Sequence, residues 1–480
     1  MPFDLSGPLA VFLAVAWAVY VALLAIWVLL QKRAPEATLS WILTLAFLPY
    51  IGFVIFYFFG PKRLHKQRLR RLSDHLANHV SADLEALKQR TRNLPVHLRQ
   101  MARLGVAATG ILPCTAQSAT LLRSGAATFD AIMADVAAAE RHIHLEYYIF
   151  EPDHTGTRLR DLLIEKARQG VEVRLLVDAL GSKRLRNAFV QPLIEAGGHF
   201  ARFHDAELGR RWRPVINYRT HRKLVICDGV VGFTGGVNIT DEEDLRLTPD
   251  GYHDVHVRLQ GNPAFWMQFV FLQDWAYANN LPMAQCVPDL ARYLLVSEAG
   301  PHEVQIFTSG PDNPNEPIHR AYIEAINQAE RRVLLTTPYF VPSEAAMMAL
   351  TNAALRGVDV QVLVPRESDS KLVTLAARSY FEELSEAGVT VWEYKARMLH
   401  SKTLVVDDSL GFIGTANFDQ RSFRLNFEVG VAYYGAEFTA DLAEQFAVDL
   451  REARKVPQRR QLRFHSRIAE ATARLFSPML

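Results

Sequence analysis

Two long apolar runs open the chain, before any periodic pattern begins. The first, at 7–30, reads GPLAVFLAVAWAVYVALLAIWVLL; the second, at 38–60, reads TLSWILTLAFLPYIGFVIFYFFG. Each is about the length of apolar chain that spans a bilayer as a helix, so residues 1–60 are expected to form a membrane anchor of two transmembrane helices. Pro49 and Gly52 interrupt the second run, which leaves a re-entrant hairpin as the alternative to a clean span. A secretory signal fits the first run poorly: it lacks a basic n-region, it is too long, and a second run follows at once. Past residue 110 the pattern changes. Helical repeats such as TRLRDLLIEKARQG alternate with β-rich runs such as VEVRLLV. That alternation predicts an α/β fold whose mixed or largely parallel sheet is covered by helices.

The polar stretches between these patterns set the domains. Residues 61–110 read as a basic, mostly helical connector, 111–290 as lobe one and 300–455 as lobe two, with VPDLARYLLVSEAG at 287–300 as the crossover. The tail, 456–480, sets Arg459, Arg460, Arg463, Arg467 and Arg474 beside Leu462, Phe464, Ile468 and Leu475. A surface-lying amphipathic helix and an ordinary helix packed on lobe two both fit that stripe. PKRLHKQRLRR at 61–71 carries Lys62, Arg63, Lys66, Arg68, Arg70 and Arg71, against Lys32 and Arg33 in the link between the apolar runs. The excess of positive charge places the lobes on the cytoplasmic side, as a multi-pass protein of the cell membrane. A basic segment beside a span also attracts anionic headgroups, at roughly 1 kcal/mol per basic residue.

The lobes repeat each other. AERHIHLEYYIFEPD at 139–153 parallels AERRVLLTTPYFVPS at 329–343, and ARQGVEVRLLV at 167–177 parallels ALRGVDVQVLV at 354–364. The sharpest repeat is HRKLVICDGVVGFTGGVN at 221–238 against HSKTLVVDDSLGFIGTAN at 400–417. One H-x-K-x-x-x-x-D is a weak signal; two copies, each followed at the same distance by a Gly-containing turn and Asn, are a strong one.

The spacing carries chemistry. KLVICD and KTLVVD read as buried strands, on which side chains alternate between faces. His221 and Lys223 therefore share a face, as do His400 and Lys402. Asp228 and Asp407 fall at odd offsets and point the other way, which suits anchoring of the strand-to-turn geometry and not contact with substrate. Turns at Gly235–Gly236 and Gly414 are expected to return Asn238 and Asn417 to the His–Lys face. Two imidazoles and two ammoniums suit a phosphodiester. The lysines, with the Asn donors, hold non-bridging oxygens and stabilise the five-coordinate phosphorus. One His attacks phosphorus; the other protonates the leaving alcohol and deprotonates the incoming one. This scheme needs no metal or cofactor, and no carboxylate–His cluster has metal-ligand spacing in the sequence.

Composition narrows the partners. The net charge of 480 residues is +2, so the chain is no general nucleic-acid binder. Cys114, Cys227 and Cys286 show no paired spacing, which suits a reducing compartment. No P-loop or dinucleotide fingerprint is present.

The repeated segments resemble the HKD motifs of the phospholipase D superfamily. The resemblance makes His221, Lys223, Asp228, His400, Lys402 and Asp407 the catalytic motif residues. It also implies two phospholipase D-like lobes about a pseudo-two-fold axis, with the site between them. In that superfamily an acidic residue downstream of each motif orients the His. Glu428 in RSFRLNFEVG and Asp254 in GYHDVHV match that position; Glu428 is expected to orient His400. The turn GTAN has Thr415 where the family more often has Ser, and Thr220 stands where it usually has Asn. Two apolar runs, two HKD lobes and a tail ending FSPML resemble, over essentially the whole chain, the bacterial cardiolipin synthases of phospholipase D type. The implied reaction joins two phosphatidylglycerol molecules into cardiolipin and glycerol, with His221 as nucleophile and His400 as acid/base by family precedent. The implied partners are phosphatidylglycerol and anionic membrane lipids, with no nucleic acid. A phospholipase D hydrolase or a membrane-bound nuclease of the same superfamily would use the same residues; the aromatic stretch FWMQFVFLQDWAYANN at 265–280 reads as a packed helix and not as a base-stacking platform.

Overall fold

The computed structural model describes residues 8–30, 38–39, 42–44, 94–204, 217–282, 285 and 292–480. The chain divides into two compact units, Met1–Arg63 with Ala206–Asn217, and Leu64–Asp205 with Tyr218–Leu480.

In the first unit, helix α1 runs Pro8–Leu29 without an Asp, Glu, Lys or Arg. Val28 is buried against Leu24 and Ile42, while Phe12 and Leu23 are 68% and 63% exposed. Most of the second apolar run, the basic stretch 61–71 and Cys286 lie outside the described residues. Among the described residues, no helix is long and apolar enough to cross a membrane.

The second unit is built on one 16-stranded sheet, fifteen strands of which form a continuous path while the two-residue strand Arg219–Thr220 pairs beside it with Asn426 and Phe427. Its first half supplies β1 (Cys114–Leu122), β2 (His142–Tyr147), β3 (Glu172–Asp178), β4 (His199–Phe203), β5 (Leu224–Cys227), β6 (Val231–Gly235) and β7 (His256–Gly261). Its second half supplies β8 (His302–Ser309), β9 (Arg332–Thr336), β10 (Asp359–Pro365), β11 (Thr390–Tyr394), β12 (Thr403–Val406), β13 (Leu410–Gly414) and β14 (Asn426–Tyr434), with β15 (Ala453–Lys455) at the far edge. The order is β15-β11-β10-β9-β12-β13-β14-β8-β1-β7-β6-β5-β2-β3-β4. Read outward from the β1–β8 pair, both directions give the same succession, which is the order a pseudo-two-fold relation requires. The seam is antiparallel, with Cys114 opposite Val304 and Ala116 opposite His302. β2, β3 and β4 are parallel, as are β9, β10 and β11, and the strands nearer the seam are antiparallel. The sheet is therefore mixed.

The repeated sequences give repeated local structure. FEPD ends in Asp153, whose carboxylate caps helix α4 (His154–Arg168) by accepting the Gly156 N–H. FVPS ends in Ser343, which caps α7 (Glu344–Leu355) through Ala346 in the same way. α2 (Val96–Thr109) and α3 (Gly125–Ala138) precede α4, α5 (Asn262–Ala278) and α6 (Pro317–Gln328) lie between α4 and α7, and α8 (Glu437–Leu450) and α9 (Phe464–Arg474) come after α7. Each half has its own apolar core: Ile143, Leu145, Val173, Leu175 and Phe233 in the first, Val333, Leu335, Val360, Val362 and Phe412 in the second. α5, the aromatic-rich helix, is buried along most of its length and packs across strands of the first half and the seam.

One expectation needs correction. Helix α2 is more than a polar connector: Leu98, Met101 and Ala102, at helical spacing, are part of the second half's core beside Phe307 and Tyr322. In the tail, α9 has a buried face and an exposed one. Ala473 and Glu470 are buried, the latter paired with Arg460, while Phe464, Ile468 and Leu475 stay exposed.

Candidate active site

The two motif strands, β5 and β12, are fully buried, and each is entered by its His–x–Lys. The motif aspartates sit just past the strands. Asp228 and Asp407 both take a left-handed backbone, φ 55° and 51°, a conformation Asp tolerates better than most residues. The Asp228 carboxylate accepts the N–H groups of Glu140, Arg141 and His142; that of Asp407 accepts those of Glu330, Arg331 and Arg332. Each aspartate thereby fastens its hairpin to the start of the neighbouring strand, β2 or β9. This corrects their place in the catalytic set: they hold the strands and do not line the site.

The imidazoles are held across the seam. The His221 N–H donates to the carbonyl of Phe427, and the His400 N–H to that of His253, at 2.9 and 2.8 Å. The next residue in each case is the carboxylate: His221 Nδ1 lies 3.2 Å from Glu428 Oε2, and His400 Nδ1 lies 2.6 Å from Asp254 Oδ2. The expectation that Glu428 orients His400 is thus overturned. Each histidine is oriented by the other half's carboxylate, because the backbone bond to residue 427 or 253 brings that strand end alongside. Nδ1 facing a carboxylate carries the proton, which turns the Nε2 lone pair outward.

Asp254 and Glu428 are reached by different local means. A Cβ on Gly236 would stand 2.1 Å from Asp254 Oδ1, so glycine there is required for the carboxylate to approach. The matching position in the second half is Thr415, whose hydroxyl donates to Glu428 Oε2 at 2.5 Å; its carbonyl also receives His221 Nδ1 at 3.1 Å. Thr220 donates its hydroxyl to Glu146 and its N–H to Asp178, behind His221.

Both lysines are buried, and each ammonium donates to the carbonyl of its own motif histidine. Burial first, then Lys402, brings Lys223 down to about 7. Burial also lowers Lys402, against Asp254 and Glu243. His400 falls to about 4, through burial and then Lys402, with Asp254 opposing; His221 is lowered by burial, with Glu428 opposing. Lys402 acts on His221 and Lys223 on His400, so the four cationic groups share one field. Burial would raise Asp254 and Glu428, but Lys402 and His400 outweigh it at the first, and His221 and Lys223 at the second; both carboxyls lie below the usual range.

Asn238 and Asn417 are buried close to the motifs but are not free donors in equal measure. Asn238 gives its N–H and its amide to Glu243 Oε1, at 3.1 and 3.3 Å, and accepts from Ile149. Asn417 gives its N–H to Ser422 Oγ at 3.2 Å.

Sequence reasoning missed several neighbours. The Tyr148 ring stands 4.8 Å from His221, and the Tyr252 ring 5.3 Å from His400, as aromatic walls. Arg222, between His221 and Lys223, faces the other way into Asp274 and the Glu428 carbonyl. Glu243, Asp254 and His400 bring ligand atoms within 4.8 Å of one another, a cluster invisible in linear spacing. Asp254 Oδ2 there already takes the His400 N–H and lies 3.6 Å from Lys402 Nζ, so the cation these carboxylates face is an ammonium.

Comparison with known proteins places this geometry. A family profile described as cardiolipin synthase, PLD-like domain, matches residues 132–245 and 322–450, and one described as phospholipase D-nuclease N-terminal matches 18–61. The chain is 39% identical to the cardiolipin synthase of Geobacillus kaustophilus, over 99% of this chain and 95% of that one. It is 36% identical to the major cardiolipin synthase of Bacillus subtilis, over 98% and 99%. Among solved structures, the phosphatidylserine synthase of Haemophilus influenzae shares 14% identity, with a TM-score of 0.59 over 79% of this chain and all of that one, a likeness of fold.

Proposed function

From the premise that the chain belongs to the cardiolipin synthases of the phospholipase D superfamily, we propose that it transfers a phosphatidyl group between two phosphatidylglycerol molecules, giving cardiolipin and glycerol. The observation that carries this reading is the crossed pairing: each motif imidazole rests its Nδ1 on a carboxylate of the other half. His221 Nε2 attacks phosphorus. The bond to the departing glycerol breaks, and its oxygen takes the proton that His400 Nε2 acquires once the bound phosphodiester raises its proton affinity. Lys223 and Lys402 balance the charge on the non-bridging oxygens. In the second half-reaction the hydroxyl of another phosphatidylglycerol loses its proton to His400 and displaces His221. One phosphodiester replaces another, so no nucleotide is consumed.

The anchor belongs to the same proposal. At 1.5 Å per residue a helix of 22 residues is about 33 Å long, the scale of the hydrocarbon core; α1 has that length and no charged residue. With the run at 38–60 it forms two spans, and the basic stretch at 61–71 keeps the lobes cytoplasmic. The exposed face of α9, with Phe464, Ile468 and Leu475 beside Arg463 and Arg467, lies on anionic lipid.

The test is turnover of phosphatidylglycerol vesicles by the full-length protein, with products resolved. Cardiolipin and glycerol are expected; phosphatidic acid in place of cardiolipin would make the protein a hydrolase. A variant lacking residues 1–72 should shift products toward phosphatidic acid, because the tether raises the local concentration of lipid acceptor over water.

A further inference from the structure

Two carboxylates stand on the Nδ1 side of His400, and only one has been given work. Beyond Asp254, Glu243 Oε1 lies 3.9 Å from His400 Nδ1. Glu243 ends a single helical turn, Asp241–Glu243, five residues past Asn238, and is wholly buried. Its Oε1 accepts twice from Asn238, but its Oε2 has no hydrogen-bond partner and no solvent. An unsatisfied buried carboxylate oxygen is costly. The turn itself does not require it. In the second half the residue five past Asn417 is Ser422, whose hydroxyl accepts the Asn417 N–H as Glu243 accepts that of Asn238. A serine suffices for the cap, so the carboxylate is an excess, and it is directed at one histidine of the two.

We propose that Glu243 is a positioning residue of the active site, which raises the proton affinity of His400 and so fits the second histidine, and not the first, for acid–base work. The proposal rests on the phosphatidyl-transfer reading. Glu243 takes no part in bond making; it stabilises the His400 imidazolium between proton transfers. The groups around it come from several elements. Asp254 precedes β7, His400 and Lys402 belong to the second motif, Lys223 to the first, Tyr147 to β2, and Tyr252 flanks His400. Lys402 and Lys223 push His400 toward its neutral form; Asp254 opposes them. Burial, then Asp254, holds the Glu243 carboxyl up at about 8, so near neutral pH the empty site keeps a proton beside His400. When a phosphodiester raises the proton affinity of His400, the carboxyl pair and the imidazole titrate as one unit, and charge on Glu243 follows charge on His400.

The test uses the full-length enzyme in phosphatidylglycerol micelles. Glu243→Gln keeps an oxygen for Asn238 and removes the charge; Glu243→Ser copies the second half. Two readouts are needed: the pH profiles of kcat and KM, and the pH dependence of carbethoxylation at His400 and His221 read by mass spectrometry. A general acid is lost as pH rises through its pKa, and removing an anion lowers that pKa. The alkaline limb of kcat should therefore move down by about one pH unit in both variants, the scale of a nearby opposite charge, with KM little changed. The His400 modification midpoint should fall with it, and that of His221 should stay. Superimposed profiles with an unmoved His400, in variants that melt like the wild type, would overturn the proposal and leave Glu243 a buried cap. Equal shifts at both histidines would overturn it too. If the wild type forms no cardiolipin, the transfer reading fails, and the modification data still decide whether Glu243 governs His400.

Discussion

Around His221 the structure sets Glu428, Thr415 and the Thr415 carbonyl; around His400 it sets Asp254 and Glu243, with a glycine where the other half has Thr415. The plan is shared and the acids differ. The first half-site fixes its imidazole with a neutral hydroxyl and one carboxylate, which in the proposed mechanism presents an oriented lone pair. The second encloses its imidazole with two carboxylates and Lys402, which in the same proposal handles a proton. Chemically similar motifs are thus made unequal by residues outside them.

The largest test of that inequality is removal of either imidazole. His221→Ala and His400→Ala should each cut kcat by about 10⁴-fold or more, as for members of one catalytic unit. They should differ in what they trap: the His400 variant should retain labelled phosphatidyl on His221, and label on His400 in the His221 variant would reverse the roles. Next in size are the orienting acids. Glu428→Gln and Asp254→Asn should each lower kcat by about 10–100-fold. Only Glu428→Gln should also slow labelling of His221 in the His400→Ala background; an equal effect of Asp254→Asn would break the crossed assignment.

The lysines sharpen the comparison through pH. Lys223, held to about 7 by burial and then Lys402, would in the proposed mechanism bind phosphate only while protonated. Its ammonium is present below that value and lost above it, so kcat/KM should fall by up to about tenfold per unit on the alkaline side. A flat kcat/KM between pH 7 and 9 would show that the Lys223 charge is not used. The motif aspartates should behave otherwise. Asp228→Ala loses three backbone bonds to a charged acceptor and should cost about 2 kcal/mol of stability, read as a lowered Tm, with kcat of the folded enzyme unchanged. A tenfold fall in kcat at unchanged Tm would return Asp228 to the chemistry. The smallest change is Thr415→Val, which removes one hydrogen bond from Glu428 and should reduce kcat by about fivefold. No change would mean that the Thr415 carbonyl and the backbone alone fix the His221 half.

The buried strands in KLVICD and KTLVVD were legible, because apolar β-branched runs are a local signal; the strands begin only after each Lys and end before each Asp, so hydrogen bonds and not strand alternation set where those side chains go. The pairing of acids with imidazoles was not legible. Distance along one lobe says nothing about which lobe's histidine a carboxylate meets, and here the answer depends on the seam and on backbone bonds at residues 253 and 427. Glu243 was hidden for another reason. In TDEED it reads as part of a solvated acidic turn, and its neighbour Glu242 is exposed. Only the tertiary placement of β7 and the second motif encloses it. The core position of α2 is written in the helical spacing of Leu98, Met101 and Ala102, beside which Arg99 and Arg103 keep the segment polar in composition.

The crossed acids also bear on ancestry. A lone lobe owns an imidazole and a lysine, but the acid it carries serves someone else. Two identical lobes meeting through a β1–β8-like edge would complete each other by reciprocal loan, residue i of one on residue j of the other, as in an isologous dimer. Fusion into a single polypeptide ends the obligation of the two copies to stay alike. Ser422 opposite Glu243, and Thr415 opposite Gly236, are the positions where one polypeptide uses that freedom, which two identical partners would not have.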